Sequence, residues 1–189
     1  MAKTESTMLP LGISLPQFSL FDLNGKEVSS ETCKNRISVV IFMCNHCPFV
    51  IHIREHLVTL IQEYQAKGIF FIGINSNDAQ TYPEDSFENM KLFAKEFGYT
   101  FPYLYDETQE IAKAFRAACT PDIFVFDRMR LLVYRGQLDD SRPGNEIAVT
   151  GKDLRAALDA LLAEKPVSSA QRPSIGCNIK WKEGNEPLY

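Results

Sequence analysis

Apolar residues along this chain fall into two kinds of pattern. The stretch 37–43, ISVVIFM, is continuously apolar and largely β-branched, and 69–74, IFFIGI, repeats the pattern. Runs of this kind read as strands buried on both faces of a sheet. Between them Ile53, Leu57, Leu60, Ile61 and Tyr64 recur at helical spacing, with Gly68 as a stop. Upstream, FSLFDLNGKEVS reads as a hairpin turning at Asn24-Gly25. Downstream, 86–98 reads as a helix ended by Gly98, 101–106 as a short extended piece, and 107–118 as a helix. DIFVFD and RLLVYRGQL form an antiparallel pair through Arg128, Met129 and Arg130, and 151–165 is an amphipathic helix. The remaining segment carries Pro and Ser with little periodicity. The order predicts an α/β fold: a parallel β-α-β unit, then a late antiparallel pair, with helices on both faces of a central mixed sheet.

The chain has 189 residues, which suits one domain. Residues 1–165 are expected to form it, with 166–189 as a C-terminal tail docked on the same domain. A formal net charge of -4 gives no reason to expect a nucleic-acid or membrane-surface partner. The first twenty residues are polar and proline-containing where a secretory signal would be apolar, so the expectation is a cytoplasmic protein. Five cysteines, an odd number, argue against a structural disulfide framework.

Two of the five carry the chemistry. Cys44 and Cys47 are separated by Asn45 and His46, directly after a buried strand, and Pro48 then opens a helix. Proline suits a first helical turn, because the N–H it lacks would be unpaired there. Cys44 should therefore sit over the positive end of a helix, which favours thiolate. A protonated His46 would add to that effect. Cys47, about one turn on, could resolve a mixed disulfide formed at Cys44. The competing reading is metal. His52 and His56 stand four apart, but His56 would lie about 13 Å along the helix from Cys47, too far to share one ion. No metal or organic cofactor is expected, and both histidines are assigned to a helix face.

The order of LPQFSLFDLNGKEVS, VVIFMCNHCPF, FPYLYDETQEIAKAF and CTPDIFVFDRMRLLVYRG, over roughly residues 10–165, resembles the thioredoxin-like superfamily. It is similar to its redoxin branch of alkyl hydroperoxide reductase/thiol-specific antioxidant proteins and thiol–disulfide reductases. The resemblance implies a thioredoxin-like fold with an N-terminal β-hairpin and an insertion after the second core strand, around 76–118. It implies a thiol–disulfide oxidoreductase with Cys44 as nucleophile, Cys47 as resolving thiol, and Asn45 and His46 tuning the pair. Pro121 would be cis, with Thr120 presenting its backbone to a substrate chain. The partners implied are a protein or small-molecule disulfide and a thiol reductant. Two departures stand out. The strand before the motif lacks the acid that many thioredoxins place there, leaving Glu84, Asp78 or water as proton acceptors for Cys47. A peroxiredoxin alignment would put the peroxidatic cysteine at Cys47, yet the proline and the threonine or serine of that motif are Val40 and Cys44 here. A peroxidase and a redox sensor or binding module with the same cysteines are the alternatives.

Cys33 reads as incidental and Cys119 as an inert buried thiol. Asp139, Asp140 and Arg142 are either substrate contacts or a solvated loop. The tail holds Cys177 among Ile175, Ile179 and Trp181, so it is expected to dock and to bring Cys177 near the motif as a third redox thiol.

Overall fold

The computed structural model describes residues 3–189. Its elements are β1 (Lys3–Glu5), β2 (Ser19–Phe21), β3 (Glu27–Ser29), β4 (Ser38–Phe42), α1 (Pro48–Ala66) and β5 (Phe70–Asn75). They continue with α2 (Phe87–Glu96), β6 (Tyr103–Tyr105), α3 (Glu110–Ala114), β7 (Cys119–Thr120), β8 (Asp122–Phe126), β9 (Leu132–Gly136), α4 (Lys152–Leu162) and β10 (Ile175–Asn178). The central sheet has the order β6-β5-β4-β8-β9. β4 runs parallel to β5, and β5 to β6, whereas β8 is antiparallel to both β4 and β9. This is the mixed sheet the sequence pattern predicts, and the fold is thioredoxin-like. β2 and β3 form the expected hairpin, pairing Ser19 with Ser29 and Phe21 with Glu27.

Because side chains alternate across a strand, β4 feeds two cores. Val39 and Ile41 face Ile53, Leu57 and Leu60 of α1 and Leu154 and Leu158 of α4. Val40 and Phe42 face Phe115, Ala112 of α3, and Phe18 and Val28 of the hairpin region. All five residues of β4 are buried, which is why its sequence shows no alternation. α1 ends where predicted: its last turn meets Gly68 at φ +88, a conformation that favours glycine.

Two segments differ from expectation. The helix read over 107–118 is only Glu110–Ala114. Gln109 at φ +65 and Arg116 at φ +48 break it on either side. The amide of Gln109 is engaged with the carbonyls of Ser76 and Lys180, so tertiary contacts override local helix propensity. The aperiodic tail, in turn, supplies β10, the middle strand of a second sheet ordered β1-β10-β7. Cys177 pairs with Thr120 and with Lys3. Further on, Lys180 accepts from Asp78 N–H and donates its own N–H to Asn77, and Ile179 is buried in the core behind the sheet. Among the described residues, no helix is long and apolar enough to cross a membrane.

Candidate active site

The site lies where β4, the start of α1, the turn before α2, and β7 meet. β4 delivers Met43 and Cys44 at its end, and the chain turns through Asn45 and His46 into α1. Cys47 is the residue that caps α1, and Pro48 follows as its first residue. The Thr120-Pro121 peptide bond is cis, as the resemblance implies. Cys44 Sγ lies 3.4 Å from Thr120 Oγ1, and Cys47 Sγ is 3.1 Å from the Thr120 carbonyl oxygen, to which it donates when protonated. The structure thus brings Cys44, Cys47 and Thr120 into contact, with Pro121 adjoining. Cys44 is 2 % exposed and Cys47 fully buried.

Sequence reasoning missed Asp85. Its carboxylate is fully buried in the turn Pro83–Asp85. It accepts from the backbone N–H of Asn45 at 2.7 Å and from the Asn77 amide at 2.7 Å, and it pairs with His46 Nδ1 at 2.8 Å. The His46 ring also stacks on Tyr82, with centroids 5.5 Å apart. The Asn45 amide donates to Glu84 O, and its oxygen accepts from Tyr103. The two residues between the cysteines are therefore clamped by the insertion. The acid near the motif comes from this turn rather than from β4. Glu84 contributes its backbone carbonyl, while Asp78 binds Thr81 and the backbone of Gln80. In sequence Asp85 is indistinguishable from Glu84 beside it.

These contacts set the protonation states. The hydrogen bond with Asp85 raises the His46 pKa, against burial, which lowers it. With its folded value above the ordinary 6.5 or so, charged His46 stabilises the fold fully at lower pH, and that contribution is lost as pH rises through the folded value. Cys47 accepts a hydrogen bond from the Cys44 thiol, and further ones from Thr120 and from the thiol and backbone of Cys177. Together these lower it to about 5 against the effect of burial. Cys44 is held well above its ordinary value by donating to Cys47, by burial, and by the facing Asp85 charge. The sequence expectation puts the thiolate on Cys44, over the helix terminus; the hydrogen bonding around the pair favours charge on Cys47. Donors converge on Cys47, and the Asp85 charge opposes a charge on Cys44.

This is testable by following thiolate ultraviolet absorbance against pH. The wild type should show a transition near the value of about 5 assigned to Cys47. Cys44→Ala removes the main donor and should move it upward, and Cys47→Ser should abolish it. Persistence of the transition in Cys47→Ser would place the charge on Cys44. Because the folded value is depressed below the free one of about 8.5, the associated stability is present at higher pH and lost as pH falls through the folded value.

Cys44, His46 and Asp85 are also the one group among the described residues whose ligand atoms all lie within 4.8 Å of one another. His46 and Asp85 pair with each other, so a metal would have to displace that pair. His52 bonds Ser141 at 2.7 Å and His56 is exposed, so neither joins this group. Cys119 is fully buried, donates to Pro121 O, and is pushed well up by burial. Cys33 is buried away from the motif in the second core. In the 135–145 loop, Asp139 accepts from the N–H groups of Ser141, Thr150 and Gly151. Asp140 pairs with Lys152 and Arg172, and Arg142 donates to Gln137 and to the carbonyls of Asp139 and Ser141. These charges organise the loop.

Residues 11–135 match the AhpC/TSA family. The thiol-disulfide oxidoreductase ResA of Geobacillus thermodenitrificans is 25% identical over 125 residues, covering 66% of this chain and 68% of that protein. Among solved structures, an uncharacterized conserved protein from Geobacillus kaustophilus is 59% identical, with TM-score 0.94, covering 96% of this chain and 97% of its own. A thiol:disulfide interchange protein of the thioredoxin family from Chlorobium tepidum, 20% identical with TM-score 0.63 over 82% of this chain and 99% of that one, shares the fold.

Proposed function

The chain belongs to the AhpC/TSA family, and from that premise we propose that it is a thiol–disulfide oxidoreductase working through Cys44 and Cys47. The observation that carries the reading is the placing of Cys44 and Cys47 together against Thr120 and the cis Pro121. Cys47 as thiolate is the base for Cys44. As the Cys44 proton passes to Cys47, the Cys44 sulfur attacks one sulfur of a substrate disulfide, and the other substrate sulfur leaves as a thiolate that takes a proton. Cys47, passing that proton to the second substrate sulfur, then attacks Cys44. The Cys44–Cys47 bond forms, the mixed disulfide breaks, and the second substrate thiol departs. The enzyme is oxidised by two electrons and the substrate reduced by two. A thiol reductant restores the starting state, and no metal or organic cofactor enters. Asn45 and His46 hold the turn between the sulfurs. His46, as a cation beside the pair, favours its thiolate form and makes the disulfide more oxidising. The substrate is a protein or small-molecule disulfide.

A second reading has one observation in its favour. A lowered pKa at Cys47 is what a peroxide-reducing thiolate needs. Against it stands Cys44 at the position of that motif's hydroxyl residue. Pre-reduced protein should therefore be assayed side by side with insulin disulfides under dithiothreitol and with hydrogen peroxide. Faster turnover of the disulfide is expected. Faster turnover of peroxide would overturn the reading in favour of a peroxidase, and turnover of neither would leave a redox sensor.

A further inference from the structure

Cys47 has a thiol neighbour on each of two segments: Cys44 before it in the chain, and Cys177 from the tail. The tail is seated by backbone geometry. Cys177 pairs with Thr120, whose carbonyl is 3.1 Å from Cys47 Sγ. The residue before Cys177 must be glycine for this to happen. A Cβ at Gly176 would lie 2.0 Å from Thr120 O and 2.6 Å from its carbonyl carbon, a clash with backbone that cannot move aside. Both the thiol and the backbone of Cys177 then reach Cys47. β10 also occupies the edge of Thr120 expected to face a substrate chain.

We propose that Cys177 is a third redox thiol and that Cys47 is the pivot between two alternative disulfides, Cys44–Cys47 and Cys47–Cys177. The proposal rests on the oxidoreductase reading above. After substrate reduction the Cys177 sulfur attacks Cys47, forming Cys47–Cys177 and breaking Cys44–Cys47, and the proton of Cys177 ends on Cys44. No electron is gained or lost overall. Closing the sulfurs to a bond of about 2.05 Å needs only a local approach, since Cys177 pairs with Thr120, whose carbonyl oxygen lies 3.1 Å from Cys47 Sγ. The exchange frees Cys44 as a thiol and fastens β10 covalently over Thr120. It thereby separates the oxidising equivalent from the thiol that meets substrate. In the reduced closed state Cys177 keeps its proton, since burial and its bond to Cys47 push it up to about 12.

The test uses the full chain, reduced, then oxidised with diamide, acid-quenched, alkylated and mapped by non-reducing peptide mass spectrometry. In Cys44→Ser most Cys47 should be recovered linked to Cys177. Recovery of Cys47 mainly as free thiol or as another disulfide overturns the proposal. Gly176→Ala, in an otherwise native chain, should lower the yield of the Cys47–Cys177 linkage several-fold while Cys44–Cys47 still forms. An unchanged yield would mean that the seating of β10 does not bring the thiols together, and would overturn it too. Trp181, four residues beyond Cys177, reports the same change without substitution, as a fluorescence shift on oxidation that Cys177→Ser removes. Failure here is distinct from failure of the oxidoreductase reading. Disulfide turnover without the Cys177 linkage sinks this inference alone, and the linkage without turnover sinks the enzyme and leaves the thiol pair.

Discussion

Cys47→Ser should stall disulfide reduction at a covalent intermediate, with steady-state turnover falling by about a thousandfold or more. Cys44 can still attack a substrate disulfide in this variant. Release of the substrate then depends on an external thiol in dilute solution instead of one held in place, and intramolecular attack owes its rate to that placement. Intact mass spectrometry should find the substrate half bound to Cys44. Cys44→Ser should be equally slow but accumulate no such adduct, since the thiol that opens substrate disulfides is gone. An adduct on Cys47 in Cys44→Ser would reverse the roles and move the protein to the peroxidase-like reading. If the adduct on Cys44 appears only when Cys177 is replaced together with Cys47, then Cys177 resolves Cys44 directly.

Much of this was readable from residue order. β4 and β5 are continuous apolar runs because both of their faces are buried, and a strand of that kind announces itself. The Cys44–Cys47 spacing, Pro48 and the pair Thr120-Pro121 are local patterns, and the structure places them against one another. Asp85 was not readable. An acid in a Pro-Glu-Asp turn has the composition of a solvent-exposed loop, and what buries it are donors on Asn45, His46 and Asn77. β10 was not readable as a strand either. Four residues including Gly and Asn carry no period, and their pairing follows from the fit of Gly176 against Thr120. The hydrogen-bond donors around the cysteine pair were not readable for the same reason. A helix terminus and the nearby Cys44 are visible in sequence, but the other donors that lower Cys47, Thr120 and Cys177, are distant in the chain.

Removing the carboxylate of Asp122 should destabilise the protein by about 3–5 kcal/mol, because it breaks a buried ion pair from one side. Asp122 and Arg135 are both fully buried, with Arg135 Nη2 3.2 Å from Asp122 Oδ2. The carboxylate also accepts from Ser6 Oγ at 2.8 Å and from Ala118 N–H at 3.1 Å. Arg135 in turn donates to Arg116 O and lies over the Phe124 ring. Asp122→Ala would leave a cation and two donors without their acceptor in the core. At roughly 2–4 °C per kcal/mol, thermal unfolding should shift down by on the order of 10 °C. The cost would fall beside the active site, since Asp122 follows Pro121 and pairs with Phe42 at the end of β4. The pair itself need not be a net source of stability. Burial, opposed by Arg135, raises the Asp122 carboxyl above its ordinary range, so ionising it in place is costly. The double variant Asp122→Leu with Arg135→Met should therefore recover most of the loss. A cost below about 1 kcal/mol for Asp122→Ala, measured by urea unfolding, would mean that water reaches Arg135, and that the two charges are not held together by the dryness of the core.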